Sequence, residues 1–120
     1  MGLLSQIQRN AIDGAARETV ALAQLEKLNP GSRIFTQRYL RDANGKIVKD
    51  PVTGEGRRLD IVVVKGGKGT SYEITSQTAP KLLQLQKEGR ILDAGGNYIR
   101  APGTKELIPV EGLSKVMRLD

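Results

Sequence analysis

The chain lacks cysteine, histidine and tryptophan altogether among its 120 residues. Without cysteine there can be no disulfide and no thiolate metal site. Without histidine there can be no Ser-His-Asp or Cys-His catalysis, and no zinc site built on His or Cys ligands. A bound metal would therefore have oxygen ligands only, which favours Mg²⁺, Mn²⁺ or Ca²⁺.

Aromatic residues and long apolar runs are also scarce. The only aromatics are Phe35, Tyr39, Tyr72 and Tyr98, so the core must consist mostly of Leu, Ile, Val and Ala. No stretch approaches the roughly 20 apolar residues of a membrane span, and we expect no membrane-spanning segment. The length predicts a single domain over residues 1–120, with its core at about 11–110.

Positive charge is in excess and unevenly distributed. The net charge is +6, with a pI near 9.8. Residues 33–68 alone hold nine Arg and Lys side chains against four acids. A basic surface of this kind suits a polyanion such as nucleic acid, although ordinary solubility charge would also explain it.

Hydrophobic periodicity and turn residues predict the order α-β-β-β-α-β and an α+β fold. The first helix should end at Asn29-Pro30-Gly31, and the second should carry Pro80 in its first turn. The predicted helices cover 11–28 and about 80–94. The predicted strands cover 33–41, both arms of a hairpin over 57–75, and 97–100, with a short additional strand at 47–48. Weaker apolar pieces follow at 107–110 and 116–119.

The hairpin holds the most informative pair of residues. Gly66-Gly67 lies between two β-rich runs, which indicates a two-residue turn. Lys65 then pairs with Lys68, and continuing that register sets Asp60 directly opposite Glu73. Like charges opposed in this way destabilise a sheet, so a divalent metal or a shared proton is expected between them.

The same register sorts the strand side chains onto two faces. Leu59, Ile61 and Val63 should share one face with Tyr72 and Ile74. The carboxylates of the hairpin should share the opposite face with Arg58, which leaves a second interpretation open. In that interpretation the hairpin is merely salt-bridged, and Arg58 neutralises one of the two acids.

Each helix contributes polar residues with two possible explanations. Glu18 lies within the apolar stripe of the first helix, where it either has a partner or extends to water from the stripe's edge. Lys81, Gln84 and Lys87 share one side of the second helix, with Leu82, Leu83 and Leu85 on the other. That polar stripe is either a solvated face or overlooks the Glu73 end of the hairpin.

These residues together resemble a known family. The segments are Gly56-Arg57-Arg58-Leu59-Asp60, Tyr72-Glu73-Ile74-Thr75-Ser76-Gln77 through Pro80-Lys81, and Gly95-Gly96-Asn97-Tyr98. With the element order, they resemble the restriction-endonuclease-like PD-(D/E)xK nuclease domains at the C-termini of bacterial polymorphic and contact-dependent growth inhibition toxins. The resemblance implies an αβββαβ core, with a mixed central sheet flanked by helices.

The resemblance also implies roles for individual residues. Asp60 and Glu73 match the metal-binding acids, and Glu18 matches the helix acid that completes the site around Mg²⁺ or Mn²⁺. The family's usual lysine falls on Thr75, which carries no charge. Candidates to replace that lysine come from the following helix: Lys81, Gln84 and Lys87. Contacts to nucleic-acid phosphates are expected from Arg38, Arg57 and Arg58.

The implied activity is metal-dependent phosphodiester hydrolysis. DNA is slightly favoured as substrate because the few aromatics do not suggest a base-stacking platform, and a tRNA-cleaving toxin is the close alternative. A non-catalytic nucleic-acid-binding domain and a metal-free ribonuclease remain further alternatives. The resemblance also implies an acidic immunity protein as partner, and delivery by a secreted or cell-surface protein into the cytoplasm of a target bacterium.

Overall fold

The computed structural model describes residues 6–119, with side chains described from residue 14 onward. The described part forms an α+β fold, as the sequence predicts. Its first helix extends further toward the N-terminus than the predicted start at residue 11. The elements are α1 (Gln6–Leu28), β1 (Arg33–Tyr39), β2 (Arg58–Lys65), β3 (Lys68–Thr75), α2 (Leu82–Asp93), β4 (Tyr98–Arg100), β5 (Leu107–Pro109) and β6 (Lys115–Arg118).

Four of the strands form one mixed sheet in the order β1-β2-β3-β6. The β1–β2 and β2–β3 pairs are antiparallel, and β6 runs parallel to β3. The β4 and β5 strands form a separate antiparallel ribbon. A mixed sheet was expected, but its fourth strand was predicted at 97–100.

The strand predicted at 97–100 is present as β4, but it lies outside the four-stranded sheet, whose fourth strand is β6. Tyr98 pairs with Pro109 of β5 and bridges to Arg41. Strand β6 pairs with the edge of β3, and its Val116 lies beside Glu73. The fold therefore includes residues beyond 110, where the core was expected to end. The possible strand at 47–48 is reduced to one isolated bridge from Ile47.

The central hairpin has the predicted register. Lys65 pairs with Lys68, and the regular pairs continue to Ile61 and Tyr72. Both turn glycines, Gly66 and Gly67, have positive φ, as a two-residue turn between twisted strands requires. The ladder therefore brings residues 60 and 73 side by side at its far end.

The two helices cover opposite faces of the sheet. On one face, Ala21 and Leu25 of α1 pack against Ile61, Val63 and Ile74. On the other face, α2 contributes Ile91 to a larger cluster that also holds the inner residues of β2, β4 and β5. Its members are Leu40, Leu59, Val62, Val64, Ile91, Ile99, Ala101, Ile108 and Val110.

Leu59 lies on the face opposite to the predicted one. It packs in the α2-side cluster with Val62 rather than with Ile61 and Val63. Residues 59 and 62 can share a face only if the strict alternation of β2 is interrupted between them. The interruption falls at Asp60.

Helix α2 begins later than predicted and turns a different side toward the core. Its N-cap is Lys81, so Pro80 precedes the helix instead of lying within its first turn. Leu82 and Leu83, expected on the buried side, are 67% and 80% exposed, and Leu85 is half-buried. The buried residues of this helix are Glu88 and Ile91, one turn further along. Within residues 6–119, no helix is long and apolar enough to cross a membrane.

Candidate functional site

At Asp60, a hydrogen bond to the side chain takes the place of backbone pairing between β2 and β3. The last regular pair is Ile61 with Tyr72, and Asp60 Oδ2 accepts a hydrogen bond from the backbone N–H of Ile74 at 2.9 Å. The carboxyl group is thereby fixed to the neighbouring strand, beside Glu73. This bond ties one candidate metal ligand to the strand that carries the other.

The strand on the other side of Asp60 is also distorted. The β1–β2 register skips the position where Gln37 would pair with Asp60. Among the described residues other than glycine, Gln37 alone has positive φ, at 56°. A side chain in this region of backbone space costs about 1–3 kcal/mol, and such strain is typical of functional sites.

Gln37 connects this distortion to helix α1. Its Nε2 donates a hydrogen bond to Glu18 Oε1 at 2.8 Å. Glu18 is half-buried, so the acid in the apolar stripe does have a partner. A cleft of about 280 Å³ opens between α1 and the sheet, lined by Ala15, Glu18, Thr19, Leu22, Thr36, Gln37, Asp60 and Ile61.

The other two predicted metal-binding acids, Glu73 and Glu18, both affect the pKa of Asp60. Burial raises the pKa of Asp60 most, and the hydrogen bond from the Ile74 N–H opposes it. The charge of Glu73, a side-chain hydrogen bond with Glu73 and the charge of Glu18 raise the pKa further, to about 7. Among residues 14–119, no Lys or Arg forms an ion pair with Asp60 or Glu18. The charged form of Asp60 is therefore disfavoured, because two further acids lie close to it and residues 14–119 provide it with no ion pair.

Glu73 has two cationic partners on the α2 side. Arg57 Nη2 donates to its Oε2 at 2.6 Å, and Lys81 Nζ lies 3.3 Å from its Oε1. Lys81 Nζ also donates to Gln84 Oε1 at 3.2 Å. The polar stripe of α2 thus overlooks the Glu73 end of the hairpin.

Arg57 lies inside the protein and bridges two acids. It is only 4% exposed, and its Nε donates to Glu88 Oε1 at 3.0 Å. Burial alone would lower the pKa of Arg57, but hydrogen bonds and charges from Glu73 and Glu88 outweigh burial and raise it. Its neighbour Arg58 is exposed, so Arg57 takes the neutralising position considered for Arg58 and is withdrawn from the expected phosphate contact.

Glu88 extends the network to the segment before β6 and to β3. Its Oε2 accepts from the Ser114 N–H at 2.6 Å, and its Oε1 accepts from Ser114 Oγ at 2.7 Å. Ser114 Oγ is 2.6 Å from Ser71 Oγ on β3. The buried chain from Glu73 through Arg57 and Glu88 to Ser114 therefore fixes the position of the Glu73 carboxylate.

A second cleft, of about 340 Å³, faces α2 and carries the basic residues. Asp60 lines this cleft as well as the first, so the two clefts share this residue. Lys87 lines it too, with its Nζ 3.6 Å from Glu55 Oε1. The lining residues are Tyr39, Gly56, Arg57, Arg58, Asp60, Gln84 and Lys87.

The remaining predicted residues lie close by. Thr75 ends β3, is buried, and accepts a backbone hydrogen bond from Leu119. Arg38 is half-buried and follows Gln37 directly along the chain. Arg118 Nη1 donates to the carbonyls of Ser76 and Ala79, which holds the loop between β3 and Lys81.

Two residues of the site, Glu88 and Gln37, were not predicted from the sequence. The spacing of Lys81, Gln84 and Glu88 is three and then four residues, which places Glu88 on the polar stripe and could have identified it. Gln37 had no such signal, because its left-handed backbone and its contact with Glu18 depend on how α1 packs on the sheet.

The donor chemistry fits a divalent cation, although the side chains do not stand as a closed metal cage. Among the described residues, no group of three His, Cys, Asp or Glu side chains is placed to hold a metal ion. Both oxygens of Glu73 are engaged with Arg57 and Lys81. Carboxylate oxygens from Asp60, Glu73 and Glu18 are nevertheless the ligand type that Mg²⁺ and Mn²⁺ prefer.

Known proteins give no direct guide to this arrangement. No family model matches the chain, and the searches of curated proteins and of solved structures found no match either. The assignment of a function therefore depends on the geometry of the site.

Proposed function

We propose that the chain is a metal-dependent nuclease whose site lies around Asp60. One observation carries the proposal: Asp60 is flanked by Glu73 and Glu18, has no ion pair with a Lys or Arg of residues 14–119, and lies beside a basic cleft. A cation bound there would relieve the repulsion among three acids. When bound, Mg²⁺ or Mn²⁺ supplies Lewis-acid activation of water and of the scissile phosphate.

The chain's own residues have separable roles in this proposal. Asp60, Glu73 and Glu18 hold the ion, and Gln37 orients Glu18 through its 2.8 Å hydrogen bond. Lys81 takes the place of the lysine absent at residue 75, and it offsets negative charge that develops on the phosphate.

Further residues bind and orient the substrate. Gln84, within hydrogen-bonding distance of Lys81, orients the phosphate or the water. Arg58 and Lys87 line the cleft and contact phosphates without reading base sequence.

The topology supports the finer assignment to a restriction-endonuclease-like core. Helix α1 precedes a three-stranded antiparallel sheet, α2 crosses the opposite face, and β6 adds a strand parallel to β3. In this proposal β6, rather than β4, is the last strand of the αβββαβ unit, and the acids lie on α1, β2 and β3.

The resemblance to polymorphic toxins supplies the biological part of the proposal. The domain would enter a target bacterium and cleave nucleic acid there, and an acidic immunity protein would block the basic cleft. DNA is the favoured substrate. Cleavage of tRNA is the alternative that the first experiment separates.

The test is cleavage of plasmid DNA and of total tRNA with Mg²⁺, Mn²⁺ or excess EDTA. We expect metal-dependent cleavage that falls by about 100-fold or more in Asp60→Asn and Glu73→Gln, because the ion loses a ligand. Glu18→Gln should also be impaired, whereas Glu26→Gln, an exposed acid on the same helix, serves as the matched control. Full activity in EDTA, or in Asp60→Asn, would exclude the metal mechanism.

A binding measurement checks the site without relying on activity. Mn²⁺ should raise the thermal unfolding midpoint of the wild-type protein, because a ligand that binds the folded state stabilises it. Asp60→Asn should remove this shift and Glu26→Gln should keep it. An equal shift in Asp60→Asn would place the ion elsewhere.

A further inference from the structure

Two arginines from distant parts of the chain converge on one carbonyl oxygen. Arg41 Nη1 donates to Gly45 O at 2.9 Å, and Arg100 Nη2 donates to the same oxygen at 3.1 Å. Arg41 follows β1 and Arg100 ends β4, and the bridge between Arg41 and Tyr98 joins these two segments. Gly45 has positive φ, and a Cβ there would lie 2.8 Å from Arg100 Nη2, so the guanidinium lies directly over the turn.

The acids near this pair are engaged elsewhere. Asp42 Oδ1 accepts from the backbone N–H groups of Asn44 and Lys46, and Glu106 forms a two-bond ion pair with Arg33. Among residues 14–119, neither Arg41 nor Arg100 forms an ion pair with an acid. Two like charges therefore stand close together, and neither forms an ion pair within the described part of the chain.

The charges in this cluster are only partly satisfied. Burial lowers the pKa of Arg41, and the charges of Arg100 and Arg38 lower it further, so all three cations lie within electrostatic reach. The Nε of Arg100 is buried and has no hydrogen-bond partner among the described residues. A guanidinium has five N–H donors in a planar fork, and such forks match the oxygens of a phosphate.

We propose that Arg41 and Arg100 bind a backbone phosphate of the nucleic acid. This proposal takes only the class of ligand from the proposed function. Arg41 lies four residues beyond Gln37, which corresponds to about 13 Å of extended chain from the acid cluster.

The ligand's chemistry also favours nucleic acid over a single anion. Arg38 lies between Gln37 and Arg41 in sequence, so basic side chains continue from the acid cluster to the arginine pair. The successive phosphates of a nucleic-acid backbone can contact several of these basic side chains at once, whereas one small anion can contact only those at one end.

The experiment measures binding in excess EDTA, so that no cleavage occurs and the result is independent of catalysis. Labelled duplex DNA and labelled tRNA are titrated with wild-type protein, Arg41→Gln, Arg100→Gln and Arg33→Gln. We expect Kd to rise about tenfold or more in Arg41→Gln and Arg100→Gln, because each loses a charge-assisted contact to phosphate. Arg33→Gln removes the same charge from the opposite end of β1 and should change Kd by less than about threefold.

A second measurement uses the unaltered protein, so it remains informative if a variant fails to fold. The arginine Nε–H resonances are followed by NMR as the same oligonucleotide is added. We expect the Arg41 and Arg100 signals to shift, while the Arg33 signal stays in place. Unchanged Arg41 and Arg100 signals at saturating nucleic acid, or Kd values equal to that of Arg33→Gln, would overturn the phosphate site. Arginine-dependent binding without metal-dependent cleavage would reject the nuclease and leave this proposal standing.

Discussion

At the scale of single residues, the strain at Gln37 stands out. Its left-handed backbone is unfavourable for any side chain with a Cβ, and glycine would adopt it without cost. The chain nevertheless has glutamine there, and that side chain orients Glu18. The strain therefore coincides with a contact that the proposed metal site needs.

Replacing Gln37 separates its structural and functional parts. In Gln37→Gly, strain is relieved but the contact with Glu18 is lost, so the free energy of unfolding should stay within about 1 kcal/mol of wild type. Mn²⁺ affinity should fall about tenfold, because the acid is no longer oriented. Calorimetry measures the affinity and urea titration the stability.

Gln37→Val provides the opposite case for the same position. A β-branched side chain is poorly tolerated at positive φ, so this variant should lose about 2 kcal/mol of stability. Unchanged Mn²⁺ affinity in Gln37→Gly would show that Glu18 needs no orienting partner.

At the scale of elements, buried polar contacts attach α2 to the sheet. Arg57 of the segment before β2 contacts Glu88 of α2, and Glu88 in turn contacts Ser114 before β6. Asp50, in the preceding loop, forms a two-bond ion pair with Arg90 of the same helix. The helix that presents Lys81 is thus fixed by charged contacts as well as by Ile91.

Removal of the Glu88 carboxylate should lower the stability of the folded protein. Glu88→Leu leaves Arg57 with one acid and Ser114 without its acceptor, so the free energy of unfolding should fall by about 3 kcal/mol or more. Glu106→Gln, which removes one partner of an exposed ion pair, should cost at most about 1 kcal/mol. Chemical denaturation measures both free energies. Equal losses in the two variants would show that the buried network stabilises the fold no more than the exposed ion pair does.

The Asp50–Arg90 pair makes stability depend on acid pH. Hydrogen bonds from Arg90 lower the pKa of Asp50, the N–H of Val52 and the hydroxyl of Thr53 lower it further, and burial acts in the opposite direction. Because the folded pKa is below the unfolded value of about 3.9, this stabilisation is present above pH 4. It is lost as the pH falls through the folded pKa.

Asp50→Asn tests this dependence. The variant should be less stable than wild type at neutral pH, and the difference should shrink as the pH is lowered below about 4. Thermal unfolding across that pH range measures it. A difference that stays constant with pH would assign the effect to packing.

Sequence reasoning succeeded where interactions are local. The Gly66-Gly67 turn fixes its own register, so the juxtaposition of Asp60 and Glu73 could be predicted. The pairing of Val116 with Glu73 could not, because it joins segments more than forty residues apart. Nor did the sequence reveal that Arg57, rather than Arg58, turns inward to Glu73, because that orientation depends on the interrupted alternation of β2 and on Glu88 of the packed helix α2.

At the scale of the whole molecule, charge is divided between two sides of Asp60. Glu18 approaches from the α1 cleft, and the cleft on the α2 side is lined by Arg58 and Lys87. The positive charge is concentrated in residues 33–68 within a chain of net charge +6. Such a distribution favours electrostatically driven binding of a polyanion.

Salt dependence is the corresponding prediction. The logarithm of nucleic-acid affinity should fall linearly with the logarithm of salt concentration, with a slope of about −0.9 for each phosphate contact on duplex DNA. Arg58→Gln should reduce the slope by about one contact. Affinity independent of salt would argue against backbone binding.

The position of β6 has a practical consequence for anyone shortening this protein. The last residues look like a dispensable tail in the sequence, yet Val116 lies beside Glu73 in the sheet and Arg118 fastens the loop ahead of Lys81. A version trimmed after residue 110 would lose both of these contacts beside the proposed metal site, so its inactivity would not bear on the proposed chemistry.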